Sequence, residues 1–509
     1  MDTGPFFDLP ETPRARQVSI VIPTYNNLSL LLECLGSLRL LDYPAELIEI
    51  VVVDNASTDR TQAVLKDRFP YVKLVTLDTN TGFAVACNKG AAVASGEYIA
   101  FLNNDAVVDP GWLKALFAAL DAAGGKAVCA ASRILSHNGE ETEYDGAASN
   151  LFAAGRPTSV WGWPDNPEAP STGSPVLFAS GGAMLIHRAT FLDVGGFDPA
   201  YFAYFEDVDL GWRLWALGYD VVYAPDATVR HIGGATGKRS GSHRRYTLWE
   251  SNSLATVLKN YESGNMERIL SAALLLQYKR ALLSAGDAIK PADYRLSSPP
   301  DNNVSNVERM PKVSVAHIVA IDRFNSMLPH LMEERRTIQA KRVRSDAEIL
   351  PLLGRAFEPQ YAGTQYADGA RALASTLELY GISDILSPNR VLIVGTADEA
   401  SYLKDLASRL KDNNRVAIVQ ISPKPSESAS QQFDGYTQHT LDAANPIVVR
   451  LIGFADALIV TPTAAQLDAV RSASAPIAVV GASSSSIERA IAINDPSDAR
   501  VRDFWRISA

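Results

Sequence analysis

The sequence predicts an α/β protein with a Rossmann-like mixed sheet at the N-terminus, a helical middle region and a second, smaller Rossmann-like α/β domain. Short apolar runs alternate with stretches of helical periodicity at both ends of the chain, and the stretch between them is helical. Such alternation is typical of a sheet covered by helices on both faces. We therefore divide the chain into a tail (1–16), a first domain (17–260), a helical region with a linker (261–387) and a C-terminal domain (388–509).

The composition is that of an ordinary globular protein with an acidic balance. The 509 residues are 47% hydrophobic and 20% charged, and the formal net charge is −10. Because no long basic run appears, we expect no binding to nucleic acid. The three cysteines, Cys34, Cys87 and Cys129, stand among apolar residues and are predicted to fill the core. No signal peptide or membrane span is predicted, which favours a cytoplasmic protein that could still touch the inner face of the membrane.

Polar residues follow the predicted strands of the first domain. Four apolar runs, 18–23, 48–54, 72–77 and 97–103, are predicted strands, and 28–40, 58–69 and 83–94 are predicted helices. The residues at the strand ends are Thr24, Tyr25, Asp54, Asn55, Asn80, Asn103, Asn104 and Asp105. Ligands of such sheets bind outside the carboxyl ends of the strands. Four strand ends with polar side chains therefore predict one site for a polar ligand.

These strand-end residues have chemical roles and simpler alternatives. Asp54 could accept the imide N–H of uracil or thymine, or it could cap its own turn. Asn80 and Gly82 open a helix whose free N–H groups would favour an anion, or Asn80 is only a cap. Asp105 suits a Mg²⁺ or Mn²⁺ ion that bridges a diphosphate, although Asn and Asp are also common in turns.

An acidic cluster opens a predicted helix further along the chain. Glu206, Asp207 and Asp209 repel one another, so we expect a cation or a proton among them. The alternative is an acidic first turn that complements the helix dipole. Asp209 and Arg213 stand four residues apart and are predicted to pair. His231 follows a strand-like run, and a histidine downstream of carboxylates suits a hard divalent ion.

Several segments together resemble the inverting nucleotide-sugar glycosyltransferases of family 2, which have the GT-A fold. The segments are SIVIPTYNN, IVVVDNASTD, NTGFAVACNKG, YIAFLNNDAVVDPGWL, SGGAMLIHR, VGGFDPAYFAYFEDVDLGWRLWALGY and VRHIGG, and they run from residue 18 to residue 234 in the family's order. The resemblance is greatest to a bacterial, rhamnosyltransferase-like branch that builds cell-surface polysaccharide. Asn103 stands where a strict DxD motif has its first acid. The QxxRW motif of processive members is absent at Trp212 and Arg213, which argues against a membrane-embedded synthase.

The resemblance implies a role for each matching residue. The donor-binding residues would be Thr24, Tyr25, Asp54, Asn80, Lys89, Asn104, Gly181 and Gly182, although Lys89 could be solvated and the glycines could serve packing. Asp105 and His231 would hold Mn²⁺ or Mg²⁺. Asp207 would be the general base, and Glu206 would bind the acceptor or orient Asp207. The implied partners are a nucleoside-diphosphate sugar, either dTDP-rhamnose or a UDP-sugar, and a glycan or lipid-linked acceptor. A catalytically inactive nucleotide-sugar-binding scaffold is the alternative.

Two loops of the first domain have open interpretations. Trp161 and Trp163, in a Pro-, Gly- and Ser-rich stretch, could stack on an acceptor or anchor the loop. The run 235–246 could close over the pyrophosphate or remain a solvated loop, and its candidate clamps are Lys238, Arg239, Arg244 and Arg245.

The rest of the chain is predicted to be helical and then α/β. The helical stretch 254–290 could pack in the core or lie against a membrane, and 297–306 is a linker. The helix 315–347 carries Arg335, Arg336, Lys341, Arg342 and Arg344, interpreted as a solvated face or as a contact for an acidic partner or lipid headgroups. Strands are predicted at 391–395, 415–421, 455–461 and 477–482.

The predicted C-terminal domain shows no sign of a cofactor. No Gly-x-Gly-x-x-Gly motif follows its first strand, so dinucleotide binding is not predicted. The domain resembles one half of a GT-B transferase. We interpret it as a docking or oligomerisation module, with a homo-oligomer as one expected assembly, or as a remnant. Because the chain stops soon after Trp505 without a closing element, it could be a piece of a longer protein.

Overall fold

The computed structural model describes two units of the chain. It covers residues 16–353 except 141, 147, 153–154, 157–170, 233–241 and 287–309, and then 364–379, 382, 389–396, 400–410, 414–421, 429–433, 436–441, 457–460, 477–479 and 491–492. The first unit is drawn from Met1–Arg156, Pro170–Leu270 and Ala281–Leu353. The second is drawn from Pro157–Ala169, Ser271–Arg280 and Gly354–Ala509.

A mixed sheet forms the centre of the first unit. Its strands are β1 (Val18–Thr24), β2 (Ile48–Asp54), β3 (Lys73–Thr76), β4 (Tyr98–Leu102), β5 (Ala106–Val108), β6 (Ala127–Ser136), β7 (Thr142–Tyr144), β10 (Ala183–His187) and β11 (Asp220–His231). The strands β8 (Ala148–Ser149) and β9 (Gly155–Arg156) form a separate, two-stranded sheet. The strand order is β3-β2-β1-β4-β10-β6-β11-β5, and β7 pairs with β6. The strands β1 to β4 are parallel, whereas β10 is antiparallel to both of its neighbours. The sheet is therefore mixed, as predicted.

Helices cover this sheet and follow the predicted alternation. They are α1 (Leu28–Leu38), α2 (Thr61–Arg68), α3 (Gly82–Val93), α4 (Trp112–Ala123), α5 (Arg188–Asp193) and α6 (Glu206–Ala216), with one 3₁₀ turn at Ala45–Leu47 and another at Pro199–Tyr201. Every residue of β1 is buried, as expected of a strand that is covered on both faces. The three cysteines are buried, as predicted. The predicted GT-A-like fold class is confirmed.

The helical region packs against the sheet domain within the first unit. It consists of α7 (Ser242–Asn260), α8 (Ser263–Ala285, part of which belongs to the second unit), α9 (Lys312–Lys341) and α10 (Asp346–Ile349), which leads into a 3₁₀ turn at Leu350–Leu353. The long helix α9 lies along α7. No helix in the described part of the chain has both the length and the apolar character needed to cross a membrane.

Two arginines of the basic cluster near the end of α9 bind backbone carbonyls inside the protein. Arg335 Nη1 donates to the carbonyl oxygens of Leu258 and Tyr261, both at 2.6 Å. Arg342 Nη1 donates to the carbonyl of Asn260, which is one of the last residues of α7. These side chains bind carbonyls that a helix end leaves without intrahelical partners. For Arg335 and Arg342, the interpretation as a solvated or lipid-facing surface is therefore wrong.

The second unit contains a smaller sheet of the expected kind. Its strands are β12 (Asn389–Thr396), β13 (Asn414–Ile421), β14 (Ala429–Phe433), β15 (Tyr436–Leu441), β16 (Ala457–Val460), β17 (Ile477–Val479) and β18 (Ile491–Ala492), and its helices include α11 (Thr364–Thr376) and α12 (Ala400–Leu410). The order is β14-β15-β13-β12-β16-β17-β18. The inner strands are parallel, and the edge strands β14 and β18 are antiparallel to their neighbours. The predicted Rossmann-like α/β class is confirmed for this part of the chain.

Candidate active site

The ends of β1 and β2 lie side by side and carry the first two predicted donor-binding positions. Thr24 and Asp54 are register partners in the parallel pair of strands. Asn104 Nδ2, which lies just beyond β4, donates to Thr24 Oγ1 at 2.9 Å. Tyr25 follows Thr24 and is 36% exposed. Three strand ends therefore meet, as the alternating pattern predicted.

Asp54 is held by its own turn and by helix α2. Its Oδ1 accepts from the Ser57 N–H at 3.2 Å, and its Oδ2 accepts from Gln62 Nε2 at 2.6 Å. The side chain is 0% exposed. The turn contact that was the alternative for this residue is present. Both oxygens of the Asp54 carboxylate thus already accept hydrogen bonds from within the protein.

The start of α3 uses its N–H groups within the protein. Asn80 Oδ1 accepts from the Gly82 N–H at 3.0 Å, and the Ala84 N–H donates to the Phe202 carbonyl at 3.2 Å. Gly82 has φ +84°, and a Cβ there would stand 2.4 Å from the Phe202 carbonyl oxygen. The capping alternative for Asn80 is therefore present. Lys89 is exposed about two turns into α3, and no described contact joins it to the other predicted site residues.

A second corner gathers an imidazole and two carboxylates. His231 Nε2 lies 3.1 Å from Asp105 Oδ1 and 3.1 Å from Asn103 Nδ2. On the other side of the ring, His231 Nδ1 lies 2.7 Å from Glu143 Oε2, a residue of β7. Burial by itself would lower the pKa of His231, but the hydrogen bonds and charges of Asp105 and Glu143 outweigh it and raise the pKa to about 10. The imidazole of His231 thus lies between two carboxylates.

This corner offers two ligands suited to a divalent ion. Within the described residues, no group of three His, Cys, Asp or Glu side chains is arranged to hold a metal. Mg²⁺ and Mn²⁺, however, often take one or two protein ligands together with substrate oxygens and water. Glu143 on Nδ1 orients the ring so that Nε2 faces Asp105, and a carboxylate often orients a metal-binding histidine in this way. The residues fit such an ion, and its binding would displace the proton from His231.

The third corner holds the predicted base at the first turn of α6. Asp207 Oδ2 accepts from the Gly181 N–H at 3.0 Å, and Oδ1 accepts from the Val208 N–H at 2.8 Å. Burial raises the pKa of Asp207, although these two hydrogen bonds act to lower it. The neighbouring Glu206 is 5% exposed, and burial together with the charge of Asp207 raises its pKa well above the ordinary value. Glu206 Oε2 has no hydrogen-bond partner within the part of the chain that the structure describes.

The turn at Gly181 and Gly182 joins the base to the imidazole corner. The Asn103 N–H donates to the Gly182 carbonyl at 2.8 Å. A Cβ on Gly182 would lie 3.0 Å from Asn103 Nδ2, and one on Gly181 would lie 3.0 Å from the Phe83 ring. Asp207 thus contacts Gly181, and the adjacent Gly182 contacts Asn103. Asn103 in turn contacts His231. A side chain at either position would be tight against its neighbour, which supports packing, the alternative to a role in approaching the donor.

A buried charge network accounts for the third carboxylate of the acidic cluster. Asp209 pairs with Arg213 at 2.9 Å, as predicted, and with Lys259 of α7 at 3.0 Å. Lys259 Nζ also lies 2.6 Å from Asp198, which in turn contacts His330 at 2.9 Å. The expected cation among the three carboxylates is thus supplied by the protein for Asp209. Sequence reasoning missed Lys259, because nothing local distinguishes it from a solvated lysine.

Part of the two predicted loops lies outside the described residues. Trp161, Trp163, Lys238 and Arg239 are not among the residues that the structure describes. Of the remaining candidate clamps, Arg244 is exposed at the start of α7. The guanidinium of Arg245 lies over the Trp249 ring, 4.9 Å from its centroid.

The fold and the strand-end site define a sugar-transferring enzyme of the GT-A class, and comparison with known proteins agrees. The model of the family "Glycosyl transferase family 2" matches residues 19–195. An N-acetylglucosaminyl-diphospho-decaprenol L-rhamnosyltransferase of Mycobacterium tuberculosis is 33% identical over 220 residues, which are 38% of this chain and 70% of that protein. The chain therefore belongs to glycosyltransferase family 2, as its motifs predicted.

Other relatives match over smaller parts of their length. A pre-mycofactocin glycosyltransferase of Mycobacterium tuberculosis is 31% identical over 229 residues, and the match covers 44% of each chain. Among solved structures, the crystal structure of GalNAc-T7 with UDP, GalNAc and Mn²⁺ is 19% identical, with a TM-score of 0.41 and 51% of each chain covered. The last 314 residues of this chain lie beyond the match to the family model, which ends at residue 195.

Proposed function

We propose that this chain is an inverting glycosyltransferase that moves a sugar from dTDP-rhamnose or a UDP-sugar to a hydroxyl group of a glycan or lipid-linked acceptor. Similar proteins named as an L-rhamnosyltransferase and an O-antigen biosynthesis protein favour a role in cell-surface polysaccharide synthesis. The observation that carries the proposal is the placement of Asp207. Its carboxylate accepts the Gly181 N–H at the turn that also contacts Asn103, next to Asp105 and His231. This proximity supports the assignment of the base to Asp207 and of the leaving group to the neighbourhood of Asp105 and His231.

In this proposal Asp207 is the general base. An acceptor hydroxyl becomes a good nucleophile when a carboxylate takes its proton during attack. Asp207 is only partly buried, and both of its oxygens accept backbone N–H groups that fix its orientation. A single carboxylate opposite the leaving group implies one displacement with inversion at the anomeric carbon. Glu206, buried behind it, is assigned to orienting Asp207 or to the acceptor.

The donor is assigned to the strand ends. Thr24, Tyr25 and Asp54 would frame the nucleoside, and the further donor-binding candidates are Asn80, Lys89, Asn104, Gly181 and Gly182. Asp105 and His231 would hold Mn²⁺ or Mg²⁺, with Glu143 orienting the histidine. A divalent ion bound there supplies stabilisation of the charge that develops on the leaving diphosphate.

Nucleotide binding tests the donor half of the proposal. Calorimetry with UDP, dTDP, GDP and ADP, each with Mn²⁺ and again with EDTA, should show binding of UDP or dTDP that weakens strongly in EDTA. The expected reason is that the diphosphate and the ion bind as a unit at Asp105 and His231. Tight binding of a purine diphosphate would contradict the role of Asp54. Binding of UDP or dTDP by a protein that transfers no sugar would favour the inactive scaffold.

The pH dependence of turnover tests the base. Burial raises the pKa of Asp207 above its ordinary value of 3.8. The base acts in its deprotonated form, so transfer should be present above this raised pKa and should be lost as the pH falls through it. We expect the acidic limb of kcat above pH 3.8, measured with saturating donor and acceptor. Circular dichroism at each pH serves as the control for unfolding. A limb at or below the ordinary value would contradict the raised pKa of Asp207.

A further inference from the structure

A strained turn leads directly into the helix that carries Asp207. Phe202, Tyr204 and Phe205 have φ values of 64°, 71° and 68°. Residues with a Cβ rarely adopt this left-handed region, and such conformations persist only when the surrounding structure holds them. We call Phe202–Phe205 the left-handed turn. The side chains that hold it therefore decide where α6 begins.

Asn252 of α7 binds the backbone of this turn. Its Nδ2 lies 3.0 Å from the Tyr201 carbonyl oxygen, 2.9 Å from that of Ala203 and 2.7 Å from that of Tyr204. The side chain is fully buried. One amide group thus gathers three carbonyls that would otherwise point apart.

Arg323 of α9 sets the orientation of that amide. Its Nη1 donates to Asn252 Oδ1 at 2.8 Å and to Ser251 Oγ at 2.6 Å, and its Nη2 donates to the Ala200 carbonyl at 2.6 Å. Because a guanidinium only donates, the Asn252 oxygen must face it and the amide nitrogen must face the turn. The planar fork of an arginine can satisfy these acceptors together, which a lysine cannot do.

The left-handed turn contacts the donor side of the proposed site and also leads to the proposed base. At its start, the Phe202 carbonyl accepts the Ala84 N–H of α3, which is the helix on the donor side. At its end, it delivers Glu206 and Asp207, and Asp207 reaches the Gly181 N–H at 3.0 Å. A shift of the turn would therefore move the carboxylate relative to the donor.

We propose that Asn252 and Arg323 are positioning residues for the transfer reaction, because they hold the left-handed turn that places Asp207. The inference rests on the proposed function, in which Asp207 is the base. Neither residue touches Asp207, and both act through the backbone of the turn. The helical region is thereby part of the active site's support, although it lies outside the segment that the family model matches.

Two substitutions test the proposal. Asn252→Asp preserves the size of the side chain but turns an oxygen toward three carbonyls, and Arg323→Gln removes the fork. Displacement of a reacting group by about 1 Å can cost roughly 100-fold in rate, so we expect a loss of kcat of that order. The donor KM and the affinity for UDP or dTDP should not change. Arg323→Lys should recover only part of the rate.

The pH profile separates positioning from a general loss of stability. If Asp207 leaves the Gly181 N–H, it loses a hydrogen bond that lowers its pKa. The acidic limb of kcat should then move to higher pH in Asn252→Asp and Arg323→Gln. Glu206 and Tyr144 are titratable neighbours of Asp207, and both are unaltered in the two variants.

Arg335 provides the matched control on the same helix. It also binds backbone carbonyls, those of Leu258 and Tyr261, but it does not contact the turn. Arg335→Gln should lower the Tm and leave kcat per folded enzyme and the acidic limb unchanged. The proposal is wrong if Asn252→Asp and Arg323→Gln keep the wild-type kcat and acidic limb, or if they change only the Tm. Transfer by Asp207→Asn would instead overturn the proposed function itself.

Discussion

Replacing Asp207 by Asn should abolish sugar transfer while leaving donor binding intact. The amide has the shape of the carboxylate, and its oxygen can still accept the Gly181 N–H that Asp207 accepts at 3.0 Å. It cannot take the proton of an acceptor hydroxyl. General base catalysis contributes about 10²- to 10⁴-fold, so kcat should fall by at least that order. Initial rates of transfer and calorimetric binding of UDP or dTDP with Mn²⁺ measure the two effects.

The controls for this variant separate the base from its surroundings. Asp193→Asn changes an exposed carboxylate at the end of α5 in the same way and should leave kcat unchanged. Glu206→Gln tests the neighbouring carboxylate, and a smaller loss than that of Asp207→Asn is expected. Wild-type rates in Asp207→Asn would show that another group takes the proton, and the proposed mechanism would then be wrong.

Replacing Lys259 by Met should strongly destabilise the first unit. Lys259 is fully buried between Asp198 at 2.6 Å and Asp209 at 3.0 Å. Removing one partner of a buried ion pair leaves an uncompensated charge and typically costs about 3–5 kcal/mol. Arg213 and His330 still face the two carboxylates, so we expect about 3 kcal/mol, at the lower end of that range. Urea unfolding, followed by circular dichroism, measures the free energy of unfolding.

An exposed lysine is the matched control for this substitution. Lys66 lies on the surface of α2, and Lys66→Met should change the free energy of unfolding by no more than about 0.5 kcal/mol. An equally small change in Lys259→Met would mean that the network contributes little to stability.

The pH dependence of this effect follows from the pKa values of the two aspartates. Burial would raise the pKa of Asp198 and of Asp209. The charge of Lys259 outweighs burial at Asp198, and the charges of Lys259 and Arg213 outweigh it at Asp209, so both pKa values are below 3.8. A carboxyl group whose pKa is lower in the folded than in the unfolded protein stabilises the fold at a pH above the unfolded-state pKa. This stabilisation is lost as the pH falls through the folded-state pKa. The difference between wild type and Lys259→Met should therefore narrow below about pH 4.

Part of the site could be predicted because it depends on local rules. Apolar runs bounded by polar residues predict strands, and parallel strands bring their carboxyl ends to one edge. This is why Thr24, Asp54 and Asn104 meet. The pairing of Asp209 with Arg213 follows from helical spacing alone. The family motifs added the expectation that Asp105 and His231 lie together, and they do.

The remaining features depend on contacts between residues far apart in the chain, which local patterns do not encode. Glu143 reaches His231 because β7 pairs with β6. Lys259, Asn252 and Arg323 look like ordinary polar helix residues in sequence. Only the folded structure brings them to Asp209, to the turn before α6 and to each other. The basic cluster of α9 was interpreted as a surface for the same reason.

The sequence by itself determined the class of fold, the edge of the sheet that carries polar residues and the acidic start of α6. These follow from periodicity and from the propensities of short segments. Only the tertiary structure decided which partner each buried charge has and what holds the left-handed turn before Asp207. The physical reason is that a buried polar group must find a partner somewhere in the fold, and the identity of that partner depends on packing across the whole chain.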